Sequence, residues 1–401
     1  MLNQLMIRQV RQRLQASHLP VSIELWNGEH VMPAPFPCVR VRLHKPTGLK
    51  VLVNPSLGTL ARAYVEGEID LDGEIRDILK VGDSFCNSGD CKPTLNPRSR
   101  SWWRPRKNDA RKNIQHHYDV SNDFYALWLD TRRVYSCAYF QDADMSLEAA
   151  QVAKLDHICR KLNLQPGEDF LDIGCGWGGL IMHAVTHYGV KATGVTLSQE
   201  QYDYVDALIE TNQLRDKITV HLMNFQEMPS TTQYDKIASV GMFEHVGRPN
   251  MKRYFDQVNA LLKPGGLVLN HGITAAALDS QGLGSGISEF IGDYVFPGGE
   301  LLHISEVMRA AAGSQLECLD AENLRPHYGQ TLWHWVSRLE AQANEARSLI
   351  GEQKYRIWRI YMAGSAYAFD HGWMELWQVL AGKAVNGVQK AYPFQRTYQY
   401  R

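Results

Sequence analysis

The sequence predicts an α/β protein, built on a doubly wound parallel sheet and preceded by a small α+β domain. Three observations carry this. Strand-like and helix-like patterns alternate from residue 150 to about 275. The first of those strands runs into a glycine turn, "LDIGCGWGGL", that opens a helix. Before residue 92 the chain has short β-type runs and helical stretches of its own. With 401 residues, 44% of them hydrophobic, the chain can fill more than one core.

Taken in order, residues 1–19 place Leu2, Leu5, Met6, Val10 and Leu14 at helical spacing, beside Arg8, Arg11 and Arg13. This is a basic amphipathic helix. We read it as packed on its own domain, with a place on a membrane surface as the alternative. "VRVRL" and "LKVLV" read as short strands, and "LGTLARAYVEGEI" as a helical stretch. The N-terminal domain is set at 1–92, a linker at 93–115 and the main domain at 116–401. In the main domain "DFLDIGCG", "KATGVTLS", "ITVHL", "YDKIASVG" and "LVLNHGI" read as strands. "LIMHAVTHYG", residues 199–213 and "MKRYFDQVNALL" read as helices. Beyond 276 the helical periodicity predicts a segment that completes the sheet and roofs the site.

The linker is basic. Arg98, Arg100, Arg104, Arg106, Lys107, Arg111 and Lys112 face one acid, Asp109, and Pro93, Pro97 and Pro105 argue against a regular element. A solvated linker is the plain reading. The adjacent Trp102 and Trp103 favour an anionic membrane surface instead, since indoles prefer the membrane–water interface. Each basic residue there adds about 1 kcal/mol. A formal net charge of -1 selects no nucleic acid. The seven cysteines are scattered and form no CxxC pair, so neither a disulfide framework nor a zinc knuckle is expected. No apolar leader with a small-residue cleavage site is seen, and no window nears the ~18 apolar residues of a membrane span. A cytoplasmic protein, soluble or bound to the inner face of the membrane, is expected.

Gly174, Gly176 and Gly179 form a G-x-G-x-x-G frame between strand and helix. Such a turn lets backbone approach a ligand, and the helix offers free N–H groups. Alone it suits a dinucleotide or S-adenosylmethionine. Three features favour the latter. Asp172 stands where it can meet an ammonium group. "GVTLSQEQ" lacks the acid that a nicotinamide ribose usually meets. Phe225 and Gln226 suit stacking on and bonding an adenine.

Several stretches together resemble the cyclopropane fatty acid synthase family. They are "HHYDVSNDFYALWLD", "VYSCAYF", "LDIGCGWGGL", "GVTLSQEQ", "SVGMFEHVG", "LKPGGL" and "GDYVFPGGELL". "PSLGTLARAYVEGEIDLDG" resembles the small N-terminal domain of the bacterial lipid enzymes. The resemblance implies a class I methyltransferase (Rossmann-like) fold. It also implies transfer of a methylene group from S-adenosylmethionine to a cis double bond in an intact phospholipid. It implies a membrane-associated N-terminal domain and a homodimer. Tyr135 and Ser136 would contact the cofactor's amino-acid end, and Gly174 and Gly176 would line its loop. Gln201 and Leu197 would lie near the ribose, with Thr196 in the same cofactor-binding set, and Phe225 against adenine. A bicarbonate ion would be held by Cys137, Glu244, His271, Tyr328 and the backbone of Ile273.

That chemistry has a reason for these residue types. Methyl transfer to an isolated alkene leaves a cation with no neighbouring heteroatom, and ring closure needs a base near the new methyl group. A fixed bicarbonate supplies one. Glu244 can accept its O–H while His271, Tyr328 and Cys137 donate to its oxygens. Aromatic rings can support the cation. Singly, Glu244 reads as a helix cap, Cys137 as a small buried hydrophobe and His271 as a core residue. The spacing of His183 and His187 reads as a helix surface, with no metal. Two alternatives stay open: methyl branching of an acyl chain, and methylation of a small-molecule amine.

Overall fold

The computed structural model of the chain describes residues 2–31, 36–87, 120–278, 286–295, 300–385 and 393–400. The expected basic linker at 93–115 lies outside them. The chain forms two compact units that do not follow single cuts in the sequence. One gathers Met1–Lys107, Gly282–Gly298 and Val336–Tyr367, and the other Asn108–Gln281, Gly299–Trp335 and Ala368–Arg401.

The first unit carries β1 (Val21–Glu24), β2 (His30–Val31), β3 (Val39–Leu43) and β4 (Ile69–Asp72), in the sheet order β2-β1-β3-β4. Its helices include α1 (Leu2–Ser17), α2 (Gly48–Val53), α3 (Leu57–Val65) and α4 (Ile75–Asn87). In α1 the buried residues are Ile7, Val10 and Leu14, while Leu5 is exposed, so the face turned inward is rotated from the one expected. The run "LKVLV" is helical in α2, where a strand was expected. Leu49 and Leu52, three apart, are its buried leucines, which is a helical and not an alternating pattern. α3 opens on a capping box of Ser56 and Thr59.

Long-range pairs bring the later segments into this unit. α10 (Ile287–Tyr294) meets α3 through Arg62–Asp293 and through Tyr294 Oη donating to Glu66 Oε1 at 2.7 Å. Arg356 pairs with Asp70 at 2.8 Å, and Arg359 Nη1 donates to Tyr64 Oη at 3.1 Å.

The second unit is built on a seven-stranded sheet in the order β10-β11-β9-β8-β5-β6-β7. Its strands are β5 (Asp169–Ile173), β6 (Lys191–Thr196), β7 (Ile218–Leu222), β8 (Tyr234–Val240), β9 (Leu262–Ala275), β10 (Leu316–Asn323) and β11 (Met374–Lys383). Strands β5 to β9 run parallel, and β10 and β11 add antiparallel partners at one edge. The sheet is therefore mixed, completed by the C-terminal strands as expected. In β5, Phe170 enters one core and Leu171 the other, so both faces are covered. The first core takes α6 (Leu147–Lys161), α7 (Gly179–Tyr188) and α8 (Gln199–Thr211), and the second takes α9 (Met251–Leu261) and α11 (Ile304–Gly313). α5 (Asn122–Ala126) precedes the sheet. α12 (Arg325–Ala341) and α13 (Ala343–Asp370) each pass from one unit to the other.

Candidate active site

Asp172, Thr196, Phe225 and Glu244 lie at or just beyond the carboxyl ends of parallel strands, where open α/β sheets bind ligands. Asp172 lies one residue before the end of β5, followed by the turn holding Gly174 and Gly176. Both glycines have positive φ, 81° and 54°, which a side chain would strain. Asp172 is buried, and burial raises its carboxyl to about 7 against the opposing pull of Lys154. Its Oδ1 meets no hydrogen-bond partner among the described residues. At the end of β6, Thr196 Oγ1 donates to Gln201 Oε1 at 2.7 Å, and Leu197 follows, half-buried. Beyond β7 a short 3-10 turn, Phe225–Glu227, carries Phe225 and Gln226. Phe225 is 7% exposed and packs edge-on to Tyr254 with ring centroids 5.4 Å apart. Most of that ring is therefore in the core.

Glu244 sits in the 3-10 turn Phe243–His245 after β8. β8 pairs with β9 as far as Val240 opposite His271, and Gly241 N then donates to His271 O at 2.8 Å. The next donor on that edge of β9 is the N–H of Ile273, which Glu244 Oε1 accepts at 2.7 Å. The carboxylate thus extends a ladder that its own strand has left. Its second oxygen, Oε2, is buried and has no partner among the described residues. Burial pushes the Glu244 carboxyl up to about 7. The Ile273 N–H, expected on a small anion, is here given to Glu244. A Cβ on Gly174 would lie 3.2 Å from Met242 Cγ, so the glycine turn and the Glu244 loop touch.

His271 lies two residues before Ile273 and is 1% exposed. Gln378, its cross-strand partner on β11, places Nε2 3.1 Å from His271 Nδ1. With the amide donating, Nδ1 accepts and Nε2 carries the proton. That Nε2 is buried without a partner among the described residues. Burial, with Lys154 nearby, lowers the imidazole well below its ordinary range, so the ring is neutral.

Tyr135, Ser136 and Cys137 lie on an irregular segment whose backbone is held from two helices. From α6, Gln151 Nε2 donates to Val134 O at 3.2 Å and to Ser136 O at 2.9 Å. Lys154 Nζ donates to Ser136 Oγ at 2.9 Å. From α12, Thr331 Oγ1 accepts the Ala138 N–H and His327 Nδ1 accepts the Phe140 N–H, each at 3.0 Å. Cys137 is fully buried, and burial raises its thiol. Tyr328 stands one helical turn before Thr331. Its ring is 4.8 Å from Phe369 and 6.1 Å from Trp335, and Trp335 is 5.3 Å from Tyr135. Tyr135 and Tyr328 therefore share one aromatic cluster, with Tyr125 and Trp128 also against Tyr135.

The expected residues fall into two groups. Glu244, His271 and Ile273 meet at β9, while Cys137 and Tyr328 belong to the segment and the helix that Thr331 ties together. Lys154 links the groups, since its charge is felt by both Cys137 and His271. Gln151, Lys154, Thr331, His327 and Gln378 were not expected. The first two stand three apart on α6, and both side chains are buried, where a lysine–glutamine pair on a helix ordinarily reads as a solvated face. His183, for its part, bonds Asp156 at 2.8 Å and stacks on His187.

Comparison with known proteins covers nearly the whole chain. Residues 105–379 match the family model described as mycolic acid cyclopropane synthetase, and residues 10–88 match a domain of unknown function. A probable fatty acid methyltransferase of Pseudomonas putida is 41% identical over 399 residues, covering 99% of this chain and 100% of that protein. The cyclopropane-fatty-acyl-phospholipid synthase of Escherichia coli is 34% identical, covering 88% of this chain and 90% of that protein. Among solved structures, the cyclopropane synthase MmaA2 from Mycobacterium tuberculosis matches with a TM-score of 0.66 at 33% identity, over 69% of this chain and 100% of that one. A mycolic acid cyclopropane synthase complexed with SAH and CTAB matches with a TM-score of 0.65 at 35% identity, over 69% of this chain and 99% of that one. With the fold of the class I S-adenosylmethionine-dependent methyltransferases and a family match across its catalytic part, the chain belongs to the mycolic acid cyclopropane synthetase family.

Proposed function

We propose that this chain transfers a methylene group from S-adenosylmethionine to the cis double bond of an unsaturated phospholipid acyl chain. The product is a cyclopropane ring, and a bound bicarbonate is the general base. One observation carries the reading. Two buried polar atoms on or beside β9, Glu244 Oε2 and His271 Nε2, have no partner among the described residues. One accepts and the other donates. A ligand with both an O–H and acceptor oxygens satisfies the pair. Bicarbonate is such a ligand, and when bound it supplies a weak base for the proton that leaves the transferred carbon.

The chain's own residues have definite tasks in this scheme. Glu244 takes the ligand's O–H, and its other oxygen is fixed by the Ile273 N–H. His271, Cys137 and Tyr328 donate to the oxygens. Asp172, the glycine turn, Tyr135 and Ser136 hold the cofactor's amino-acid end. Thr196, Leu197 and Gln201 lie by the ribose, with Phe225 and Gln226 by the adenine. The rings of Tyr135, Trp335 and Tyr328 favour positive charge on the acyl chain. Burial keeps the Cys137 thiol protonated, so no thiolate is present to trap a cation.

The phospholipid substrate brings the chain to an anionic membrane surface. No helix among the described residues is long and apolar enough to cross it. The basic stretch at 98–112 and the exposed arginines of α1 are the proposed contacts, with a homodimer as the working assembly on the cytoplasmic face. A second reading, methyl branching of a fatty acyl chain without ring closure, is favoured by the likeness to the probable fatty acid methyltransferase of Pseudomonas putida. Bicarbonate dependence tests the proposed base. In buffer stripped of carbon dioxide, turnover should fall and should return on adding bicarbonate. Turnover indifferent to bicarbonate removes the base assignment.

A further inference from the structure

The inward face of α6 holds a charge that the proposed chemistry leaves unused. Lys154 is 2% exposed, and its one hydrogen bond to a side chain of the cofactor segment is to Ser136 Oγ at 2.9 Å. A buried ammonium costs several kcal/mol unless opposite charge faces it. The titratable groups around it come from five places. Asp130 lies in the turn before the segment and accepts Val134 N at 2.8 Å and Arg132 N at 3.0 Å. Cys137 lies on the segment itself, and Cys159 on α6. Asp172 comes from β5, with Cys175 beside it, and His271 from β9. Asp130 acts on Lys154 more strongly than Asp172 does, and both its oxygens accept backbone N–H groups. Asp172 has a bare, buried Oδ1.

We propose that Lys154 is a positioning residue for the cofactor's amino-acid end: its ammonium fixes the Ser136 hydroxyl and is the countercharge of the buried Asp172 carboxylate. The proposal rests on the assignment of Ser136 and Asp172 to that end of the cofactor. A serine hydroxyl that accepts from an ammonium turns its own proton outward, toward a carboxylate. A carboxylate kept charged beside an ammonium attracts the ligand's amino group. Gln151, one turn earlier on α6, holds the same backbone at Val134 and Ser136, so one helix sets both the path and the charge of the segment. Burial lowers the Lys154 ammonium to about 8, which leaves it cationic at neutrality. Asp172 stands at about 7 with Lys154 pulling it down, and loss of that charge sends it higher.

Calorimetric titration of the full chain with S-adenosylhomocysteine between about pH 6 and 8.5 tests this. The unaltered protein should lose affinity as pH falls through the Asp172 midpoint. In Lys154→Met that midpoint should rise by about one pH unit, with about tenfold weaker binding at pH 7 and a smaller gap at the alkaline end. Lys154→Arg should keep the original midpoint. Asp172→Asn should bind weakly at every pH, with no midpoint. A folded Lys154→Met protein with unchanged affinity and midpoint overturns the proposal, and a weak Asp172→Asn then leaves the cofactor assignment standing. An Asp172→Asn protein that binds normally removes both. Should Lys154→Met fail to fold, Ser136→Ala and Lys154→Arg decide. Ser136→Ala should weaken binding without moving the midpoint, and a moved midpoint in either overturns the proposal.

Discussion

Glu244 accepts the backbone N–H of Ile273 at 2.7 Å and leaves its other carboxylate oxygen buried and unpartnered. The contact is possible because Gly272 has no side chain. A Cβ there would overlap the Phe243 ring and lie 2.8 Å from Glu244 Oε1. Gly272→Ala should therefore displace the turn that carries Glu244. We expect a stability loss of about 1–3 kcal/mol by thermal melt and a larger proportional loss of turnover. A variant with unaltered melting and turnover would show that the turn is not so confined.

The same carboxyl makes stability depend on pH. Burial raises it from 4.5 to about 7, so the folded chain holds this proton more tightly than the unfolded chain. Stability present below pH 4.5 is therefore lost as pH climbs toward about 7. Glu244→Gln removes that loss. Its advantage over the unaltered protein should open across this window, on the order of 1–2 kcal/mol given the residue's partial exposure. Melting curves at pH 5 and pH 8 measure it, and curves that shift in parallel would contradict it.

His271 should stay neutral throughout the physiological range, because burial opposes its charged form and Lys154 adds like-charge repulsion. Histidine ring nitrogen NMR of the ligand-free protein should show a protonated Nε2 and an accepting Nδ1 across the physiological pH range. A His271 signal titrating near its ordinary value would refute this assignment.

Thr331 ties α12 to the segment that carries Cys137. Its hydroxyl accepts the Ala138 N–H at 3.0 Å and donates to His327 O at 2.7 Å. Thr331→Val keeps the shape and orphans a buried N–H. The expected cost is about 1–3 kcal/mol, with turnover falling further than the melt alone accounts for. Equal losses in both would reduce Thr331 to a structural contact.

The strand–turn–helix unit around Gly174 is legible because local rules agree there: an apolar run, a glycine turn and a helix start. Glu244 and His271 are legible as strand-end residues for the same reason. Lys154 is not, because its burial depends on Ser136 and Asp172, which reach it only through the fold. Nor is the makeup of the first unit. Its claim on 336–367 rests on pairs such as Arg359 with Tyr64, separated by 295 positions. The run "LKVLV" misleads for a smaller reason. Five residues cannot separate a period of two from one of 3.6, and tertiary burial of Leu49 and Leu52 decides.

The proposed function stands or falls on ring formation on an acyl chain within a phospholipid. The direct measurement uses vesicles of phospholipid with cis-monounsaturated chains and S-adenosylmethionine labelled in its methyl carbon, followed by mass spectrometry and proton NMR of the extracted chains. Labelled chains should have gained one methylene, lost their olefinic protons and acquired cyclopropane ring protons. Label in a methyl branch, in a head group or in no lipid at all would contradict it.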